Sequence, residues 1–188
     1  MCYNLSMFFE NAHYLVTDTA PALTGEEALA GYLSLLEKVK KEAGLKVPAF
    51  ALLPDRALIY FVTPGADLRQ VMRAMGAGGR CKYKLIQPEK YAAHLARFIH
   101  LEPVKEGLAA RSEDYRWSSA AQYLGAAGPA DKEIVLNLID GDPAAASAKY
   151  SALMAEPVPG KFWRPFDKNR DAVLGDREFL AAHSPHQK

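Results

Sequence analysis

The side chains best able to do chemistry fall into three groups. Asp167, Asn169, Asp171 and Glu178 occupy positions 1, 3, 5 and 12 of one segment, with aliphatic Leu174 at position 8. Oxygen donors at that spacing suit an EF-hand-like calcium loop. Against it, position 6 is Ala172, where such a loop needs glycine to turn at positive φ. Pro165 also falls where the entering helix belongs, and no second hand is present. In the second group, Arg56 shares a strand face with Leu58 and Tyr60, because side chains alternate with period two. A guanidinium is always charged and offers only donors, so Arg56 can grip a phosphate or a carboxylate, or pair with Asp55 or Glu89. The third group is basic: Arg80, Lys82, Lys84 and Lys90 cluster around one short strand and the helix after it, as phosphate-backbone contacts would.

Other reactive types have plainer roles. His13 and His100 have no partner at ligand spacing and read as hydrogen-bonded structural residues. Tyr83 and Tyr91 have no adjacent base to activate a phenol, so they read as core or interface aromatics. Tyr115 and Trp117 read as packing between sheet and helices. No metal or organic cofactor is expected.

The elements that must position these residues follow from periodicity and punctuation. Aromatic and β-branched residues over 3–17, around a Glu10-Asn11 turn, predict a strand or hairpin. Thr24-Gly25-Glu26-Glu27 has the capping-box pattern before a helix over 25–43, in which Leu29, Tyr32, Leu33, Leu36 and Val39 recur at helical spacing and Gly44 can end the helix. Strands over 47–53 and 57–62 flank a Pro54-Asp55 turn, a helix follows over 67–75, and 83–86 is a short strand. The order is β-α-β-β-α-β, so the fold class is α+β with a ferredoxin-like antiparallel sheet. Pro88 opens a helix to Leu101, Ser119-Ala120-Ala121-Gln122 has a second capping-box pattern, and 131–139, 143–154 and 176–183 read as helical. Three units result: a sheet domain over 1–87, a helical extension packed on it over 88–156, and a tail over 157–188.

Composition narrows the function classes. With 49% hydrophobic and 24% charged residues, the 188-residue chain is an ordinary globular one. No stretch approaches the roughly 20 apolar residues that span a bilayer, and two isolated cysteines give no disulfide framework. A cytoplasmic setting without membrane association is expected. The net charge of +1 is uneven. Residues 1–37 hold five acids and no Lys or Arg, residues 38–111 hold 14 basic and 6 acidic side chains, and residues 112–188 hold 9 and 11. A basic middle can bind a phosphate backbone, or it can be a set of solvated helix faces.

Two sequence blocks resemble one family. Arg97-Phe98-Ile99-His100-Leu101-Glu102-Pro103-Val104-Lys105-Glu106-Gly107-Leu108 is followed by Asp114-Tyr115-Arg116-Trp117-Ser118-Ser119 and Tyr123-Leu124-Gly125. This run resembles the block that follows the catalytic domain in REP-associated tyrosine transposases, in the single-tyrosine His-apolar-His superfamily. Leu53-Pro54-Asp55-Arg56-Ala57-Leu58-Ile59-Tyr60 resembles that family's catalytic strand, and Val173-Leu174-Gly175-Asp176-Arg177-Glu178-Phe179 its tail, so that the likeness extends over roughly 3–182. The resemblance implies a ferredoxin-like sheet, two metal-ligating histidines on one strand face, and a helix bearing a nucleophilic tyrosine. Here the histidine positions are Arg56 and Leu58, the motif's asparagine is Glu102, and Gly76-Ala77-Gly78-Gly79 is all that precedes Arg80-Cys81-Lys82 where the nucleophile helix belongs.

The expectation is therefore a catalytically inactive, transposase-like pseudoenzyme that retains DNA binding to a hairpin or a single strand. Two alternatives stay open. One is an interaction module or homodimer using the vacated active-site face, where loss of the helix would uncover apolar surface. The other is calcium binding at 167–178.

Overall fold

A computed structural model describes residues 10–17, 23–64, 68–75, 82–162, 164–166 and 172–183. The chain is α+β. Its elements run β1 (Glu10–Thr17), α1 (Glu26–Glu42), β2 (Lys46–Leu52), β3 (Ala57–Pro64), α2 (Leu68–Ala74), β4 (Lys82–Ile86) and α3 (Pro88–Lys105). Next come α4 (Ala120–Tyr123), α5 (Glu133–Ile139), α6 (Pro143–Ala155), β5 (Val173–Leu174) and α7 (Arg177–His183). The strand order is β2-β3-β1-β4-β5. Neighbours are antiparallel except β4 and β5, which pair in parallel through Leu85 with Val173 and Ile86 with Leu174.

Strand alternation sends the sheet's side chains into two cores. Phe50, Leu52, Ile59, Phe61 and Leu85 meet Leu29, Tyr32, Leu36 and Val39 of α1 and Val71, Met72 and Met75 of α2. Ala49, Ala51, Leu58, Tyr60, Val62 and Ile86 meet Leu95, Phe98 and Ile99 of α3, with Tyr123, Val135, Leu136 and Tyr150 behind them. The sheet is thus the middle of three layers, which explains why β2 and β3 read as continuous apolar runs. The free edge of β2 is closed by irregular chain. Leu52 N donates to Trp117 O (2.9 Å), Ser119 N to Phe50 O (3.0 Å) and Asp131 N to Val47 O (2.9 Å). A covered edge cannot template pairing with another chain.

Several local expectations need correction. Glu10-Asn11 is not a turn: β1 starts at Glu10 and takes a register shift between Glu10 and Ala12. Neither capping box forms. Gly25, at φ +93°, is the N-cap of α1 and no side chain caps the helix, while Ser119 is drawn away by other partners described below. Helix α3 continues beyond Leu101, through Pro103, to Lys105. The segment 173–174, placed by sequence in a separate tail, is the fifth strand of the sheet. Residues 3–9 of the expected strand or hairpin, Asp67 at the start of the helix expected over 67–75, and 76–81 lie outside the described residues.

Candidate functional site

Arg56 sits where two turns converge. Leu53 N donates to Arg56 O (2.8 Å), closing the β2–β3 turn and delivering Arg56 to the start of β3 on the side of α3. Helix α3 ends in a Schellman motif. Gly107, at φ +71°, lets its own N–H reach Val104 O (3.0 Å) and that of Leu108 reach Pro103 O (2.8 Å). That stop leaves Glu102 and Glu106, one turn apart on one helix face, opposite Arg56. Arg56 Nη2 donates to Glu102 Oε2 (2.8 Å) and to Glu106 Oε1 (2.9 Å), and Nη1 donates to Asp55 Oδ1 (2.9 Å) and Oδ2 (2.8 Å). Lys105 Nζ takes the other Glu102 oxygen at 2.8 Å.

Burial decides which of these pairs matters. The Glu102 side chain is 4% exposed and Arg56 18%, against 67% for Asp55. Burial opposes the guanidinium charge, but Glu102, Glu106 and Asp55 outweigh it and hold its pKa above the ordinary range. Leu58 is 2% exposed and Tyr60 is fully buried under α3. Burial, then the nearby Glu89 charge, drives the Tyr60 phenol above its usual pKa, so it stays neutral. Arg56 thus takes the Asp55 partner expected for it and does not take Glu89. On the face where apolar surface was expected to be uncovered, Leu58 and Tyr60 lie covered by α3. The cause is tertiary: α3 brings Leu95 and Ile99 onto Leu58 and Tyr60.

The basic candidates do not form one patch. Lys84 is 3% exposed, because the alternation that sends Leu85 to the α1 side turns Lys84 with Ile86 toward α3. Its ammonium cannot reach a DNA backbone. Lys90 is exposed but pairs with Asp176 (3.3 Å). Lys82 is exposed at the start of β4. Arg80 lies outside the described residues.

His100, read from the sequence as a hydrogen-bonded structural residue, is one, in a buried network behind the sheet whose partners the sequence did not signal. His100 Nδ1 lies 2.7 Å from the Tyr150 hydroxyl, and Nε2 lies 2.7 Å from Ser119 Oγ. Ser119 Oγ also accepts from Phe50 N (2.9 Å), which is why it caps no helix. His100 is fully buried, and burial lowers its pKa to about 3. With no solvent access, the trio ties α3, α6 and β2 together and cannot act on a substrate. Tyr115 and Trp117 do a similar job: the Tyr115 hydroxyl donates to Leu52 O (2.7 Å) and Trp117 packs in the α1-side core. Tyr83 is half-buried against that same core, and Tyr91 meets Phe166 edge-on at 6.4 Å.

The calcium candidate is only partly in view. Asp167, Asn169 and Asp171 lie outside the described residues, and Glu178 is exposed on α7. The following residues serve the sheet: Leu85 N donates to Ala172 O and Gln87 N to Leu174 O, each at 2.8 Å. Asp176 caps α7 through Phe179 N and accepts from Gln87 Nε2. These bonds, with Lys90, lower its pKa to about 2. Among the described residues, no group of three or more His, Cys, Asp or Glu is placed to hold a metal ion. Among them, too, no helix is long and apolar enough to cross a membrane.

No family model and no curated protein sequence matches this chain. Among solved structures, a REP-associated tyrosine transposase bound to a REP hairpin aligns with a TM-score of 0.52 at 18% identity, covering 66% of this chain and 86% of that one. The two chains share a fold.

Proposed function

We propose that this chain is a DNA-binding relative of the REP-associated tyrosine transposases that does not cut DNA. The sheet order β2-β3-β1-β4, with α1 and α2 on one face, supports assigning the first part of the chain to the split βαβ, ferredoxin-like arrangement. The observation that carries the loss of cleavage is the Arg56–Glu102 ion pair. Two positions at which the sequence departs from the family's motif are in contact, guanidinium in place of imidazole and carboxylate in place of carboxamide. Leu58, at the second histidine position, has no lone pair and no solvent. The imidazole pair that would hold a divalent cation in the family therefore has no counterpart at these two positions. The connection from Ala74 to Lys82 is seven residues, 75–81, shorter than an ordinary helix of about 11. That leaves little room for a helix carrying a nucleophile.

DNA binding is supported by the fold shared with a hairpin-bound protein and by the basic middle of the sequence. The test is a titration with hairpin and single-stranded oligonucleotides at about 50 and 200 mM salt, where phosphate contacts appear as a slope of log affinity on log salt. The same mixtures, with magnesium or manganese, are run on denaturing gels. Salt-dependent binding without a nicked strand or a covalent protein–DNA adduct is expected. Absence of binding at the lower salt would remove the DNA-binding half, and an adduct would remove the other.

A further inference from the structure

The outer face of α3 carries an arrangement that neither the ion-pair site nor the core accounts for. Residues 156–162 and 164–166 cross this face as a strap. Arg97 is 2% exposed, yet no carboxylate among the described residues pairs with it. Its Nη2 donates to the Glu156 backbone carbonyl (2.5 Å), its Nε has no hydrogen-bond partner among the described residues, and its guanidinium lies 5.0 Å from the centre of the Phe162 ring. A buried cation facing a carbonyl and an aromatic ring is solvated but not neutralised, so its positive potential reaches the surface above it.

More cations and rings surround it. Lys161 and Arg164 are exposed on the strap, joined by a turn in which Arg164 N donates to Lys161 O (3.2 Å), and their side chains pair with no described residue. Against them, Glu156 is the one acidic residue in 156–166. His94 is exposed and meets the half-buried Phe162 ring edge-on at 6.0 Å. Phe162 meets Phe166 at 6.0 Å, and Phe166 meets Tyr91 at 6.4 Å. Cations that pair with no carboxylate among the described residues, interleaved with ring edges, match a strand of alternating phosphates and bases. An acidic peptide would use the charge but leave the rings idle.

We propose that the α3–strap face, centred on Phe162 with Lys161, Arg164 and His94 around it, binds single-stranded nucleic acid. This rests on the DNA-binding proposal above and places the contact on the side of the sheet opposite α1. The probe is a labelled oligothymidylate of roughly 16 nucleotides, the upper range for one single-strand site. Lys161→Ala/Arg164→Ala should weaken binding about tenfold at low salt and flatten the salt slope by about 1.4, for two lost phosphate contacts. Phe162→Leu, which keeps the charge, should weaken it about fivefold or more. Lys38→Ala/Lys41→Ala on α1 should change neither, and all variants should melt like the wild type.

If the wild type binds and the Lys161/Arg164 variant binds equally well, this face is wrong while DNA binding survives. If the wild type binds no DNA, both proposals fall. If polyglutamate competes as well as the oligothymidylate and Phe162→Leu has no effect, the face serves acidic protein segments and the nucleic-acid assignment is overturned.

Discussion

Replacing Arg56 by leucine would strand Glu102, whose side chain is 4% exposed, with Lys105 as its remaining cation among the described residues and Glu106 on the same helix face. At 2.8 Å and an effective dielectric near 20, the gross Coulomb term is about 6 kcal/mol, most of it cancelled by desolvation. Breaking a fully buried pair costs about 3–5 kcal/mol. Arg56 is 18% exposed and Lys105 persists, so the expected loss falls at or just below that range's lower bound, about 2–3 kcal/mol. Glu102→Leu should cost less, about 1–2 kcal/mol, because Asp55 and Glu106 still hold Arg56. With both replaced by leucine, neither charge is stranded, and the coupling energy should be about 2 kcal/mol. Urea unfolding of the four proteins measures this as midpoint shifts at constant slope. A coupling below about 0.5 kcal/mol would mean that the two departures from the motif are independent, and the case for one compensated site would collapse.

Restoring the motif with Arg56→His/Leu58→His should not confer manganese-dependent DNA cleavage. It should destabilise the fold by about 2–5 kcal/mol, because Leu58 is buried beneath α3; calorimetry and a cleavage gel check both halves. His100 has a pKa of about 3 in the fold against about 6.5 unfolded, so the unfolded chain binds the extra proton. Its contribution to stability is complete above about pH 6.5 and is lost as pH falls toward 3, amounting to several kcal/mol at most. The His100 ring resonances should stay in the neutral form down to pH 4, and a titration midpoint near 6 would refute its burial. Gly107→Ala should cost about 1–2 kcal/mol in thermal or urea unfolding, from the φ of +71° alone, since an added Cβ there would meet nothing within 4 Å.

Where each feature was encoded separates what could be read from the chain alone. Helix α1, the Pro54-Asp55 turn, α2 and the Pro88 start of α3 each depend on residues a few positions apart, and local periodicity and punctuation placed them. That positions 56 and 58 bring no imidazole to their strand face was legible in the same way, since Arg56 and Leu58 are what they are in any conformation. The fate of those positions was not legible, because Arg56 meets Glu102 across 46 residues of sequence. The Ser119 capping box failed for the same kind of reason: Ser119 looked like a local cap, but Phe50, 69 positions away, and His100 claim its hydroxyl. Lys84 read as a surface cation and is buried, because which strand face α3 covers is a property of packing. Sequence fixes which groups can bond and their local backbone preferences; only the packed chain sets which distant groups share a low-dielectric space, and that decided whether each charge faces water, a partner or the core.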